Sequence, residues 1–444
     1  MPLINQQYQY YKREENYLLI FPEIPYWLVT KKGGFKLVQL LTKHDSIADV
    51  VNILKKEFDL TDPENIVLNL FNQLKKVENK HKENNCKAIG KEIRKISIAE
   101  IVLSRKCNLN CMACYRNCSP SDNRVLSKKE IYKFLKGIKH ISDDTCEIGF
   151  VGGEPLLHWD LLVYSINAAR KLGYKNFYMD TNATLITEKK AKALFDLGIK
   201  EVTVLLDGVS SNVHELTRDK NVFHQIIRGI RILRDTGIVV TVRMTVHNQN
   251  KMQIEGFIKF CVDEKVYPSI NPLAPLGRAQ NLTYDPVSLK EIFISLKNMV
   301  KRGVISEHQA IKSIYHFFIN DVSNLSCKRN CGIGFKSVLL NNNGDIYPCI
   351  ESLCSEKFVM GSIKVNSFID IWCNSKIRKI LSNLDSDTFS KCNKCDLKFI
   401  CAGHCRALSF HSTKKFDAPF IWCKSIHDTY IEAMWSVAEL KNIC

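Results

Sequence analysis

The sequence lacks the features of a membrane-spanning or exported chain. No window holds about 18 apolar residues in a row, which excludes a transmembrane helix of ordinary length. The N-terminal stretch MPLINQQYQYYKREEN has no apolar core of the secretory kind, so no signal peptide is expected and the expected compartment is the cytoplasm. Internal repeats and long low-complexity tracts are missing too, which argues against a repeat architecture. Negative charge is the scarcer sign: 46 Asp and Glu stand against 63 Lys and Arg, a formal net charge of +17. That excess attracts nucleic acid, acidic peptides, phosphates or a membrane surface without choosing among them, and a lysine-rich solvated surface explains it equally well.

Cysteine, in contrast, is plentiful: 18 residues in a chain of 444. A chain of this length suggests roughly two to four domains and buries a sizeable core without covalent staples. With 45% hydrophobic and 25% charged residues its composition is that of an ordinary globular protein. In a reducing cytosol the thiols therefore point to metal or redox use rather than to disulfides.

Three regions separate along the chain. In residues 1–85, YLLIFPEIPYWLVTKKGG reads as two short extended segments, punctuated by Pro22 and Pro25 and ended by Gly33 and Gly34. Helical patterns follow. Ser46 caps one, with Asp49 three residues on, and Ile47, Val50, Val51 and Leu54 form its apolar face. Asp62 caps the next, Pro63 takes its first position, and Ile66, Leu70 and Leu74 are expected to face inward. The picture is a small winged-helix-like unit, followed by a polar linker at 86–96. Across 97–275, six apolar runs (97–104, 146–152, 176–182, 201–208, 238–247 and 266–274) alternate with amphipathic segments such as KKEIYKFLKGI. Six β–α units in a row predict an α/β fold: a parallel sheet wound in one direction as a partial, open TIM-like (β/α)6 barrel, with chemistry at the carboxyl ends of its strands. A helical bridge at 276–326 leads to 327–444, which holds 11 of the 18 cysteines and reads as a small domain organised by metal.

Two thiol patterns carry the chemistry. CNLNCMACYRNC places Cys107, Cys111 and Cys114 directly after the first barrel strand, with Cys118 close behind. Three convergent thiolates suit an iron–sulfur cluster with one open iron. A fourth ligand from Cys118 would close the site or make a zinc loop. The second strand ends in Gly152-Gly153-Glu154-Pro155, where two glycines allow close approach of a ligand and Glu154 is an acceptor suited to an ammonium group. A plain turn into the next helix explains the same four residues. Towards the C-terminus, Cys392, Cys395, Cys401 and Cys405 alone would fit a zinc ribbon, which leaves the other cysteines of the region without a role. Cys86, Cys146, Cys261, Cys354, Cys373 and Cys444 fall in no pattern and read as small hydrophobes or bystanders.

Taken together these residues resemble the radical SAM superfamily. Cys107, Cys111 and Cys114 match its CxxxCxxC motif, and GGEP matches its motif for the methionyl amine of S-adenosylmethionine. TNATLIT, beginning at Thr181 and Asn182, is similar to the TNGTLL segment, with Ala183 where glycine is usual. LLDG with Asp207, then His214 and Arg218, resembles the SLDG…HD…R pattern, with Leu205 in place of serine and Glu215 in place of aspartate. The C-terminal cysteines are similar to the SPASM pattern. By that resemblance Cys327, Cys331, Cys349 and Cys405 would hold one auxiliary 4Fe–4S cluster, Cys392, Cys395, Cys401 and Cys423 a second, and Cys118 would be an extra. The N-terminal unit resembles a RiPP recognition element, which grips a leader peptide as an added strand. An edge near Trp27–Thr30 would supply backbone partners and the helix from Pro63 a wall.

The resemblance implies a sactisynthase-like radical SAM/SPASM peptide maturase with three 4Fe–4S clusters, S-adenosylmethionine, a precursor peptide and an electron donor such as flavodoxin or ferredoxin. Neither a membrane nor a nucleic acid is an expected partner. The implied reaction is a cysteine sulfur-to-α-carbon thioether, made when a 5′-deoxyadenosyl radical takes a hydrogen from the peptide. The same frame would serve other thioethers, carbon–carbon crosslinks, epimerisation or sulfatase-type oxidation. A rival of another class is an iron–sulfur winged-helix regulator that binds DNA, which gives no reason for GGEP beside a three-cysteine loop.

Overall fold

The computed structural model describes residues 2–58, 61–83, 95–325 and 328–440, with the backbone alone for 80–83. Cys86, Cys327, Cys444 and all of the expected linker but its last two residues lie outside that set.

The chain opens with a three-stranded antiparallel sheet in the order β1 (Gln9–Arg13), β2 (Asn16–Phe21) and β3 (Tyr26–Lys31). Three helices follow: α1 (Lys32–Leu41), α2 (Ile47–Glu57) and α3 (Pro63–Glu83). Strand β1 and helix α1 escape the sequence pattern. Gly33 and Gly34 do not end a strand but form the first turn of α1. A Cβ on Gly34 would meet Thr30 Oγ1 at 1.9 Å, so glycine is required where the helix folds back on β3. Ser46 Oγ and Asp62 Oδ1 accept the expected capping bonds, from Asp49 N at 3.3 Å and Asn65 N at 3.1 Å. On α3 Leu70 and Leu74 face the N-terminal core as expected, but Ile66 is 42% exposed and its neighbour Val67 is buried in its place.

The six expected apolar runs are all strands. They are β4 (Ile96–Val102), β5 (Ser142–Val151), β6 (Asn176–Thr181), β7 (Ile199–Leu205), β8 (Val239–Val246) and β9 (Tyr267–Pro272). They pair in parallel and in sequence order, with helices such as Lys128–Lys139 and Phe223–Asp235 between them. Alternation along β4 divides two cores. Ile101 and Leu103 pack with Ile131, Phe134 and Leu135 of the helix Lys128–Lys139, whereas Val102 faces Leu339, Tyr347 and Phe410 of the cysteine-rich region.

That region is not a separate metal-organised appendage. Its strands β10 (Ser337–Leu340), β11 (Asp345–Tyr347) and β12 (Gly361–Ser362) extend the barrel sheet beyond β4, giving nine strands in the order β12-β11-β10-β4-β5-β6-β7-β8-β9. The pairing of β10 with β4 is parallel. Helices Leu289–Lys301, Ile314–Asn324 and Cys423–Leu440 then pack on one another and close the body.

Candidate active site

The loop after β4 carries Cys107, Cys111 and Cys114 across the carboxyl ends of the barrel strands. Its backbone is fixed from several elements. Cys107 N bonds Ser119 O at 3.0 Å, Ala113 N bonds Thr217 O at 2.8 Å, and Asn110 N bonds Asp219 Oδ2 at 2.7 Å. Arg278, from the segment after β9, donates Nε to Cys111 O at 2.9 Å and a terminal nitrogen to Cys118 O at 2.8 Å. Nothing in the sequence pattern marks Arg278; only the fold brings it back to the loop.

The fold gives the GGEP glycines a reason of its own. What approaches them is the cysteine loop itself: a Cβ on Gly152 would lie 2.7 Å from Ser104 O, and one on Gly153 would lie 2.1 Å from Lys106 O. Gly152 also has φ +125, a backbone that side chains disfavour. Glu154 is 1% exposed, and its carboxylate accepts bonds from Leu156 N, Thr181 Oγ1 and Asn182 N at 2.8–3.1 Å. It therefore ties the ends of β5 and β6 together. Burial raises its carboxyl above the usual range against those hydrogen bonds. Asn182 continues inward, with Nδ2 3.7 Å from Cys107 Sγ and 2.9 Å from Asn108 Oδ1.

On the opposite side Asp207 is fully buried and accepts from Arg218 Nε at 2.6 Å, Thr217 Oγ1 at 2.6 Å and Thr245 N at 2.7 Å. Burial alone would raise its carboxyl, but the Arg218 guanidinium and these donors hold it below the usual value. Arg218 thereby stands as a fixed cation near Cys111 and Cys114. His214 donates nothing to this pair. Its ring accepts from Asp207 N at 3.3 Å, and burial takes it down to about 4, so it stays neutral.

Cys118 N lies 3.4 Å from Cys114 Sγ, and the Cys118 thiol points at the same sulfur, favouring a Cys114 thiolate. Burial instead holds Cys107 and Cys111 as thiols, Cys107 up to about 12. A metal must replace those protons. Among the described residues one group of three acidic, His or Cys donors lies within 4.8 Å, and it is not this trio. Sulfurs on a single zinc, at about 2.3 Å from the ion, sit closer than that. The trio's wider spacing and its adjacent cation fit an iron–sulfur cluster.

Two further thiol sets lie in the region that carries β10. Cys331, Cys349 and Cys405 are mutual neighbours, as are Cys392, Cys395, Cys401 and Cys423. The latter four line a cavity of about 630 Å³. Fully buried Arg406 lies near members of both sets and is a counter-charge suited to thiolate clusters that sequence reading overlooked. Cys146 and Cys261 are buried alone in the core, as small hydrophobes.

Comparison with known proteins agrees with this geometry. Residues 101–261 match the radical SAM superfamily, and residues 331–396 match SPASM, an iron–sulfur cluster-binding domain. The chain is 28% identical over 326 residues to the antilisterial bacteriocin subtilosin biosynthesis protein AlbA of Bacillus subtilis, covering 71% of this chain and 68% of that one. It is 24% identical over 338 residues to the mycofactocin maturase MftC of Mycobacterium tuberculosis, covering 73% and 82%. Streptococcus suis SuiB, solved with S-adenosylmethionine and with its precursor peptide SuiA, superposes with TM-score 0.59 at 16 and 17% identity. Those alignments cover 95 and 94% of this chain and 100% of SuiB. The chain thus has the α/β radical SAM fold with a cysteine-rich SPASM region, and these domains imply 4Fe–4S chemistry and S-adenosylmethionine.

Proposed function

We propose that this protein is a radical SAM enzyme that crosslinks a ribosomally made precursor peptide, joining cysteine sulfur to an α-carbon through a thioether. The observation that carries the reading is the presence of three thiol sets in one body whose barrel sheet runs on into the cysteine-rich region through β10. AlbA and MftC, named for bacteriocin biosynthesis and mycofactocin maturation, and SuiB, bound to a precursor peptide, support a peptide substrate.

In this reading Cys107, Cys111 and Cys114 hold a 4Fe–4S cluster beside S-adenosylmethionine. Gly152, Gly153, Glu154, Pro155, Thr181, Asn182, Asp207 and Arg218 form the wall against which the cosubstrate lies. Cys327, Cys331, Cys349 and Cys405 hold a second cluster, and Cys392, Cys395, Cys401 and Cys423 a third. Cluster and cosubstrate together supply a 5′-deoxyadenosyl radical. The chain's own residues position and dry the site. Glu154 and Asp207 lock the strand ends, and Arg218 keeps positive charge beside the trio. The domains are a leader-binding unit at 1–85, a linker at 86–96, the barrel at 97–275, a helical bridge at 276–326 and the auxiliary-cluster domain at 327–444. The leader peptide adds to the edge of β3 beside α3, whose Gln73 Nε2 bonds Tyr26 Oη at 2.7 Å. A flavodoxin or ferredoxin supplies electrons.

Anaerobic co-expression with the precursor, read by mass spectrometry, tests the reading. Each thioether removes two hydrogens, and a Cys107→Ala, Cys111→Ala, Cys114→Ala variant leaves the peptide unchanged. Anaerobic reconstitution should load about twelve irons per chain, four per cluster. A peptide of unaltered mass from the unmutated enzyme rules crosslinking out.

A further inference from the structure

Away from the barrel mouth, one polar cluster joins side chains 385 residues apart. Tyr11 Oη on β1 donates to Asp396 Oδ2 at 2.6 Å and lies 3.3 Å from His427 Nε2, which is 2.8 Å from Asp396 Oδ1. Asp396 is buried, and its Oδ1 lies 3.6 Å from Cys395 Sγ. The three side chains share the wall of the 630 Å³ cavity with Cys392, Cys395, Cys401 and Cys423, and β1 contributes Gln9 and Tyr11. The N-terminal sheet is held here by more than one bond. Arg13 pairs with Glu432 at 2.7 Å and stacks over Trp435, Lys398 bonds Glu23 at 2.8 Å, and Trp27 Nε1 donates to Val322 O at 2.9 Å. A strand of the N-terminal unit is therefore part of the immediate surroundings of the second auxiliary set.

We infer that Tyr11 is a positioning residue for the cluster held by Cys392, Cys395, Cys401 and Cys423. Acting through Asp396 and His427, it raises that cluster's reduction potential, and reduction in turn tightens the hold on β1. The inference rests on the cluster assignment proposed above. Reduction adds negative charge beside Asp396, and donors that compensate this carboxylate favour the reduced state. Linkage makes the effect reciprocal: a contact that favours reduction is itself strengthened by reduction. The N-terminal unit and the cluster thus report on each other without any change of ligands. Ligand atoms of Cys395, Asp396 and His427 also lie within 4.8 Å of one another, but Tyr11 already occupies one carboxylate oxygen and Cys395 belongs to a four-thiol set.

The test is a redox titration followed by electron paramagnetic resonance on the full, anaerobically reconstituted chain. Unmutated protein is compared with Tyr11→Phe, His427→Gln and the solvent-facing control Tyr10→Phe. Tyr11→Phe and His427→Gln should lower the midpoint of one auxiliary signal at unchanged iron content, while Tyr10→Phe leaves it in place. Hydrogen exchange of residues 9–13 should slow on reduction of the unmutated protein and become insensitive to reduction in Tyr11→Phe. His427→Gln leaves β1 intact, so a folding defect of the Tyr11 variant does not remove the test. Full iron with unmoved midpoints in both variants overturns the inference alone. Zinc, or iron missing from the second auxiliary set, overturns it together with the cluster assignment beneath it.

Discussion

Ala183 sits at φ +61, the left-handed region that an L side chain enters at a cost of about 1–2 kcal/mol. Its position explains why glycine suits that point of the TNATLIT segment: the chain must turn sharply after Thr181 and Asn182 to leave both against Glu154. Its methyl group is also enclosed, because a Cβ on Gly229 would lie 2.9 Å from it. Ala183→Gly should therefore be tolerated within about 1 kcal/mol. Ala183→Val, strained in backbone and overpacked, should lose roughly 2–4 kcal/mol in urea unfolding. A second residue-scale prediction concerns Glu100 on β4. It is buried in the barrel lumen at 8% exposure, and its hydrogen bond comes from Tyr178 Oη at 3.0 Å. Tyr178 reaches it across Gly149, where a Cβ would lie 2.3 Å from the ring. Burial and the nearby Glu351 push the Glu100 carboxyl up to about 8. The folded state therefore keeps a proton that the unfolded chain releases near pH 4–5. Its stabilising contribution is full below that range and is lost as pH rises towards about 8, by at most about 1.4 kcal/mol per unit. Glu100→Gln should flatten the fall in stability between pH 5 and 8, measured by urea unfolding at several pH values.

At the scale of elements, the cysteine loop is a connection without regular structure, yet it must hold three sulfurs in place. Beyond the loop's own Cys107–Ser119 bond, its order comes from outside: Thr217, Asp219 and above all Arg278, with Gly277 at φ +55 passing so near that a Cβ would lie 2.4 Å from Tyr115 O. Hydrogen bonds from a charged donor are worth roughly 1.5–3 kcal/mol each. Arg278→Ala frees two carbonyls of the loop. Iron at the trio should fall, and S-adenosylmethionine cleavage with it by about tenfold or more, while iron in the auxiliary sets is retained. Iron analysis alongside 5′-deoxyadenosine release separates this outcome from general unfolding. The motif CxxxCxxC is legible because ligand spacing is local. Its clamp is not, because Arg278 is 167 residues from Cys111 and carries no local signature.

For the whole molecule, the sheet is the decisive feature. Strand β4 looks like a barrel edge when the chain is read in order, but β10 covers it in parallel, and Val102 and Val151 pack against Tyr347, Phe358 and Phe410. Ending the chain at residue 325 would bare an unpaired strand edge and an apolar face. Such a truncation should aggregate, whereas the full chain elutes as a discrete species in size-exclusion chromatography. The same closure explains how distant cysteines meet: Cys349 follows β11, and Cys405 joins it across the small apolar core built on β10.

The sequence by itself determined the six parallel strands and the loop with its cysteine trio. Both rest on periodicity and ligand spacing, which are properties of neighbouring residues; spacing alone would instead group Cys405 with Cys392, Cys395 and Cys401, whereas the fold sets it beside Cys331 and Cys349. The sequence could not determine that α3 buries Val67 and exposes Ile66, which depends on the surface α3 packs against. Nor could it show that GGEP makes room for the chain's own loop, or that Arg406 lies near both auxiliary thiol sets. Tertiary structure decided those points, and it seated Tyr11 on Asp396, because partners 385 residues apart are chosen by packing and desolvation and not by local preference.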